Sequence, residues 1–161
     1  MTFTLRPSTS ADLELVEALL ARAYPVLLAP DYSAEELART LPVISRAQPA
    51  LLSSGTYFLA VEADGSLLGA GGWTPDASRP GVGHVRHVVT DDRAVRRGVG
   101  RTILSHALDT ARAAGISRMA CTATRTAVPF YAALGFEETG PVDLELVPGV
   151  YFPAVEMTRA L

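Results

Sequence analysis

The order of elements along this 161-residue chain predicts an α+β fold: a single mixed, mostly antiparallel sheet flanked by helices. Three observations carry that expectation. Alternating or valine-rich runs of strand length recur from Thr56 onward, after two segments of helical period. The Val82 to Thr90 run leads through a glycine turn into a long amphipathic helix, and thence to another strand. Two further strand-like runs then close the chain, so the elements do not alternate strictly as in a doubly wound sheet.

Phe3 to Pro7 reads as a short first strand, ended by proline. Ser10 can cap a helix from Ala11 to about Ala23, with Leu13, Val16, Leu19 and Leu20 as its apolar stripe. Ser33 followed by Glu36 has the form of a capping box and starts a second helix. Leu41 to Ser54, interrupted by Pro42 and Pro49, reads as a broken helix or lid-like connection. Thr56 to Ala63 alternates as a strand, Asp64-Gly65 signals a hairpin turn, and Leu67 to Trp73 returns. Thr74 to Gly81 is a polar loop. In the helix from Val99 to Ala114, apolar residues recur at Ile103, Leu104, Ala107, Leu108 and Ala111, and Gly115 ends it. His106 falls opposite that stripe and is expected to face solvent. Ser117 to Thr124 is a strand, Thr126 to Leu134 a short helix, and Phe136 to Leu146 and Tyr151 to Arg159 are the last strands. The parallel connection through the long helix should be right-handed. No repeat or linker divides the chain, so residues 1–161 are expected to form one domain.

With 48% hydrophobic residues the chain can build a real core. Its net charge of -3 lacks the overall basic footprint of a nucleic-acid binder. Cys121 is the one cysteine, which forbids an intramolecular disulfide and fits a reducing, cytoplasmic setting. Neither a signal peptide nor an apolar run of membrane-spanning length is legible, so no membrane partner is expected. No cluster has metal-ligand spacing, and no metal is expected.

Arg93, Arg96, Arg97 and Arg101 concentrate positive charge around Gly98 and Gly100. Glycines allow close backbone approach, and the free N–H groups of a helix's first turn attract anions. The segment therefore reads as a site for a phosphate-bearing small molecule. It lacks the Lys-Ser/Thr of a nucleotide P-loop.

Val88-Val89-Thr90-Asp91, then Arg96-Arg97-Gly98-Val99-Gly100-Arg101, then Val128-Pro129-Phe130-Tyr131-Ala132-Ala133-Leu134-Gly135-Phe136 together resemble the GNAT superfamily of N-acetyltransferases. The paired motifs cover roughly Val82 to Phe136, and the element order extends the match over the chain. The resemblance implies that Arg96, Arg97, Gly98, Val99, Gly100 and Arg101 cradle the pyrophosphate of acetyl-CoA. It implies that Val88 and Val89 pair with the pantetheine arm where their strand splays from its neighbour, and that Tyr131 is the general acid toward the departing thiolate. Two positions depart from the family pattern. Val95 stands where Gln or Arg is usual, leaving the cradle to the backbone and neighbouring arginines, and Thr124-Arg125-Thr126 occupies a region that often holds asparagine.

Acetyl transfer to an amine also needs a base. His84 and His87 lie on the strand expected to face the acetyl group, and a histidine titrating near 6.5 can take a proton directly or through water. Their odd separation puts them on opposite faces unless a bulge intervenes. Asp91 and Asp92 read as shaping the turn into the arginine loop. Tyr24, Tyr32 and Trp73 are candidate walls for the acceptor, and Gly71-Gly72 beside Trp73 implies a close approach. The resulting expectation is a direct acetyl-CoA-dependent transfer to a primary amine of a small molecule or peptide. A non-catalytic acyl-CoA-binding regulatory module is the alternative. The acidic net charge favours a cationic acceptor, and the C-terminal strands offer a way to pair across a homodimer.

Overall fold

A computed structural model describes residues 2–161. Seven strands form one sheet in the order β1-β2-β3-β4-β5-β7-β6. They are β1 (Phe3–Pro7), β2 (Tyr57–Glu62), β3 (Leu67–Pro75), β4 (Val82–Thr90), β5 (Arg118–Thr124), β6 (Glu137–Val147) and β7 (Val150–Ala160). Every neighbouring pair is antiparallel except β4 and β5. The mixed, mostly antiparallel sheet flanked by helices is thus the one the sequence predicts.

Helices α1 (Leu13–Leu28), α2 (Ala34–Ile44) and α3 (Pro49–Leu52) precede β2, while α4 (Val99–Ala113) and α5 (Val128–Ala133) flank β5. The chain enters α1 through a 3-10 turn, and its capping box is Thr9 with Asp12 rather than a Ser10 cap. Asp12 is drawn there because Arg6 of β1 grips both its oxygens, at 2.8 and 3.0 Å. The capping box of α2 is Ser33 with Glu36, as expected from their spacing. In the Leu41 to Ser54 stretch α2 continues through Pro42, and a single turn, α3, begins at Pro49. No helix among the described residues is long and apolar enough to cross a membrane.

Alternation divides the core into two layers. On one face Val16, Leu19, Leu20 and Ala23 of α1 pack on Tyr57, Leu59, Ala70 and Val89. On the other, Leu104, Ala107, Leu108 and Ala111 of α4 meet Phe58, Trp73 and Met119. Each large side chain so buried is worth roughly 1.5–3 kcal/mol, so these stripes fix how both helices sit. His106 is exposed, its ring edge-on to Phe58 at 4.5 Å.

Two irregularities open the sheet in its middle. Strands β4 and β5 pair only through Val82–Arg118, Gly83–Met119 and His84–Ala120, and are unpaired beyond His84. In the same region β4 carries an extra residue against β3: Ala70 faces Val89 but Gly72 faces Arg86. His87, at φ 43°, occupies this bulge, and the Tyr57 hydroxyl donates to its carbonyl at 2.8 Å.

Candidate active site

The split between β4 and β5 opens into a cavity of about 390 Å³, within the size range of small-ligand sites. Both histidines of β4 line it. Register explains how. Trp73 and Val85, paired across β3 and β4, both pack on the α4 side. His84 and Arg86 therefore point to the α1 side, where Arg86 Nε donates to Thr74 Oγ1 at 2.9 Å. The bulge after Arg86 then breaks the alternation, so the odd spacing of His84 and His87 no longer separates them.

Burial and the neighbouring Arg86 hold the His87 imidazole below its usual titration range, keeping it neutral at pH 7. His84 Nε2 lies 2.7 Å from Asp76 Oδ2. Asp76 also accepts from the Ser78 amide and from Arg79, and its hydrogen bond with His84 leads the effects that hold its carboxyl far below the usual range. The Asp76 carboxylate thus anchors one nitrogen of the His84 ring.

Tyr131 enters the cavity from α5, which Gly135 ends in a left-handed turn. Its ring meets Phe130 and Phe136 edge-on at 5.2 and 5.4 Å. Burial pushes its hydroxyl well above 10, with the adjacent Cys121 thiol adding to the effect. Cys121, itself buried, is pushed up to about 12, chiefly by desolvation. Both groups stay protonated at neutral pH. Cys121 is thereby a poor nucleophile, and Tyr131 is a hydrogen-bond donor.

The segment from Arg93 to Gly98 bends through two left-handed residues, Arg96 at φ 71° and Gly98 at φ 76°, immediately before α4. Gly98 is the N-cap, with no side-chain cap and no acidic residue in the first turn. The amides of Val99, Gly100 and Arg101 therefore lack intrahelical acceptors. A side chain on Gly98 would meet nothing within 4 Å, so the space over the turn is open. A Cβ on Gly100 would lie 3.1 Å from Thr90 Oγ1 and 3.2 Å from the Phe130 ring, so the helix start is pressed against α5. Arg96 and Arg101 are exposed beside this turn. Uncapped amides, open space and exposed cations together fit the pyrophosphate of a CoA.

The side chain of Arg97, unlike those of its exposed neighbours Arg96 and Arg101, is engaged by the protein. Its Nη1 pairs with Glu62 Oε1 at 3.1 Å, so its guanidinium turns back toward β2. Asp91 and Asp92 shape the turn as their position implies: Arg22 of α1 pairs with both, and Arg93 with Asp91. Burial alone would raise the Asp91 carboxyl, but the hydrogen bonds from Arg93 and Arg22 outweigh it and bring it to about 2. Val89 packs against the α1 layer, and Val88 lies beside Gly71 on the α4 side, both at the cavity edge.

Of the three aromatic walls, only Tyr24 lines the cavity, with its hydroxyl pushed up to about 12 by burial. Trp73 does not reach it. Trp73 is buried in the α4 layer, and its indole donates to Thr110 Oγ1 at 2.9 Å. The paired glycines make room for protein rather than for a ligand. A Cβ on Gly71 would meet Val88 and Ile103, and one on Gly72 would sit 2.1 Å from the Thr56 carbonyl. Tyr32 is a strut: it donates to the Pro153 carbonyl at 2.7 Å, accepts from the Arg125 amide at 2.9 Å, and stacks on Phe152. The walls the sequence did not reveal are Leu27, Ile44, Leu144, Leu146 and Phe152, with Arg86 from β4. They come from four separate stretches of chain, and no local pattern links them.

Residues 28–146 match the model of the acetyltransferase (GNAT) domain, and the chain belongs to the GNAT acetyltransferase family. No curated protein matches the sequence. Among solved structures, a GCN5-related N-acetyltransferase from Rhodopseudomonas palustris superposes with a TM-score of 0.83 at 22% identity, covering 100% of this chain and 97% of the other. The PaiA N-acetyltransferase from Thermoplasma acidophilum, in complex with coenzyme A, gives 0.76 at 18% identity with both chains fully covered. Ard1 from Thermoplasma volcanium gives 0.69 at 17%, over 100% and 99%. At these identities the structural likeness speaks for the fold. The family match makes this an acetyltransferase that uses acetyl-CoA.

Proposed function

We propose that this chain transfers acetyl groups from acetyl-CoA directly to a primary amine, with Tyr131 as the acid and His87 as the base. The observation that carries this reading is their convergence on one cavity at the β4/β5 split, next to an uncapped helix start. Val99, Gly100 and Arg101 would hold the pyrophosphate by their amides, with Arg96 and Arg101 adding charge. Val88 and Val89, in the unpaired stretch of β4, would offer backbone groups to the pantetheine arm. Bound acetyl-CoA supplies an acetyl thioester, and the transfer forms a C–N bond and breaks the C–S bond, with one proton lost at nitrogen and one gained at sulfur.

The chain's own groups match both proton movements. His87, neutral at pH 7, can accept the proton from nitrogen, and His84, anchored by Asp76, stands on the same cavity wall as a second acceptor. Tyr131, held protonated, donates toward the sulfur. A phenol this weakly acidic serves chiefly as a hydrogen-bond donor to developing negative charge. Tyr131 is itself buried, and a low-dielectric surrounding strengthens such a bond. A cytoplasmic setting is consistent with the free Cys121. A CoA-release assay over a panel of amines tests the proposal, with thermal shift to report CoA binding. Tight CoA binding with no release from any amine would favour a regulatory acyl-CoA-binding module instead.

A further inference from the structure

The acceptor side of the cavity has a charge pattern that narrows the amine. Its walls are Tyr24, Leu27 and Ile44 from α1 and α2, and Leu144, Leu146 and Phe152 from the β6–β7 hairpin. No aspartate or glutamate among the described residues lines it. The carboxylates bonded to lining residues stand behind them and are engaged: Asp76 with His84 and Arg79, Glu156 as acceptor for Thr122, and Asp31 as acceptor for Thr126. The ionisable groups that do line it, besides phenols and a thiol, are His84, His87 and Arg86. A polyamine, an aminoglycoside or a lysine side chain in a basic peptide would meet no anion there, and would have to bury further cations uncompensated.

Arg86 points the other way. Its Nε donates to Thr74 Oγ1, and Arg86, though exposed, lines the cavity and forms no ion pair among the described residues. Its two terminal nitrogens remain for a planar anion, for which a guanidinium fork is suited. The positive lining has a second effect. An amine brought beside Arg86 into an apolar cavity is favoured in its neutral, nucleophilic form.

Resting on the transferase reading above, we infer that the acceptor is an amine bearing an apolar side group and a carboxylate, as in a hydrophobic α-amino acid, with Arg86 binding the carboxylate and determining specificity. The inference reverses the expectation of a cationic acceptor drawn from net charge. Net charge describes the whole surface, whereas the cavity sees only its own walls.

The test compares CoA release with L-leucine and L-phenylalanine, with their decarboxylated counterparts isopentylamine and phenethylamine, and with spermidine. The amino acids should exceed the matched amines in kcat/KM by about tenfold or more, the equivalent of one charge-assisted hydrogen bond. Arg86→Gln should bring that ratio within about threefold, mainly through KM, and Arg86→Lys should restore it in part. Spermidine outpacing the amino acids, or an acid-to-amine ratio unmoved by Arg86→Gln, would overturn the assignment. If no amine releases CoA, the transferase reading fails, and calorimetry with N-acetyl-L-leucine against N-acetylisopentylamine still decides the role of Arg86. Binding of the acid should be the stronger and should weaken in Arg86→Gln, while equal binding of the two overturns it.

Discussion

Arg97 of the glycine loop and Glu62 at the end of β2 form an ion pair at 3.1 Å, and the second terminal nitrogen of Arg97 is buried with no hydrogen-bond partner among the described residues. At the other end of the loop, Arg22 of α1 clasps Asp91 and Asp92. The turn that carries Gly98 is thus tied to the sheet on one side and to α1 on the other. An anion site made of backbone amides works only if the backbone is held in place, and under the proposed function these pairs would fix the loop for binding.

Removing Glu62 leaves a largely buried cation uncompensated. Glu62→Ala should cost about 1–3 kcal/mol in chemical denaturation. The double variant Glu62→Ala with Arg97→Met should recover much of that loss, because it removes the stranded charge as well. A double variant no more stable than Glu62→Ala alone would show that the pair is incidental.

The open space over Gly98 and the tight contact at Gly100 predict different lesions. Gly98→Trp fills the space above the turn and strains a φ of 76°, whereas Gly100→Trp drives a ring into Thr90 and Phe130. Both should abolish tight CoA binding in calorimetry, and Gly100→Trp should also lower the melting temperature through the collision with α5. Retained tight binding in either variant would remove these glycines from the cradle.

The pH dependence follows from His87. Its folded-state titration lies below the ordinary 6.5 because burial and Arg86 disfavour the cation. It is therefore unprotonated at neutral pH and gains its proton only as pH falls below 6.5. The acid limb of kcat/KM should accordingly lie below 6.5 and should disappear in His87→Gln, with low residual activity. A limb unchanged in that variant would pass the role of base to His84 or to water.

Gly72 is expected to be intolerant of any side chain. An added Cβ would sit 2.1 Å from the Thr56 carbonyl, an atom of the backbone that cannot swing aside. Gly72→Ala should cost about 2 kcal/mol or more in thermal or urea unfolding. A neutral substitution would mean that β2 and β3 can separate there freely.

What the sequence made legible, and what it hid, divides along the range of the interactions. Local chemistry read well: the Ser33–Glu36 box, the Asp64-Gly65 turn and the α4 stripe each depend on residues within a few positions of one another. The cap ahead of α1 is Thr9, one residue before the expected Ser10, because Arg6, from another element, holds Asp12 in the box with Thr9. Gly71-Gly72 did mark a close approach, but the approaching atoms belong to Ile103, Val88 and Thr56. Trp73 and Tyr32 were aromatic and well placed in sequence, yet the indole is satisfied by Thr110 and the phenol by Pro153 and Arg125. The bulge at His87 could not be counted from β4 alone, since it exists only relative to the register of β3. The acceptor walls depend on how α1, α2 and the last hairpin close over the split, and that lies in the tertiary fold.

Single-turnover and steady-state CoA release, measured in native protein and Tyr131→Phe alongside CoA affinity, most directly tests the central claim that Tyr131 assists departure of the thiolate. The phenol makes no contribution to the loop around Gly98, so affinity for CoA should stay within about twofold, while turnover falls by more than about tenfold. Unchanged turnover in Tyr131→Phe would contradict the account.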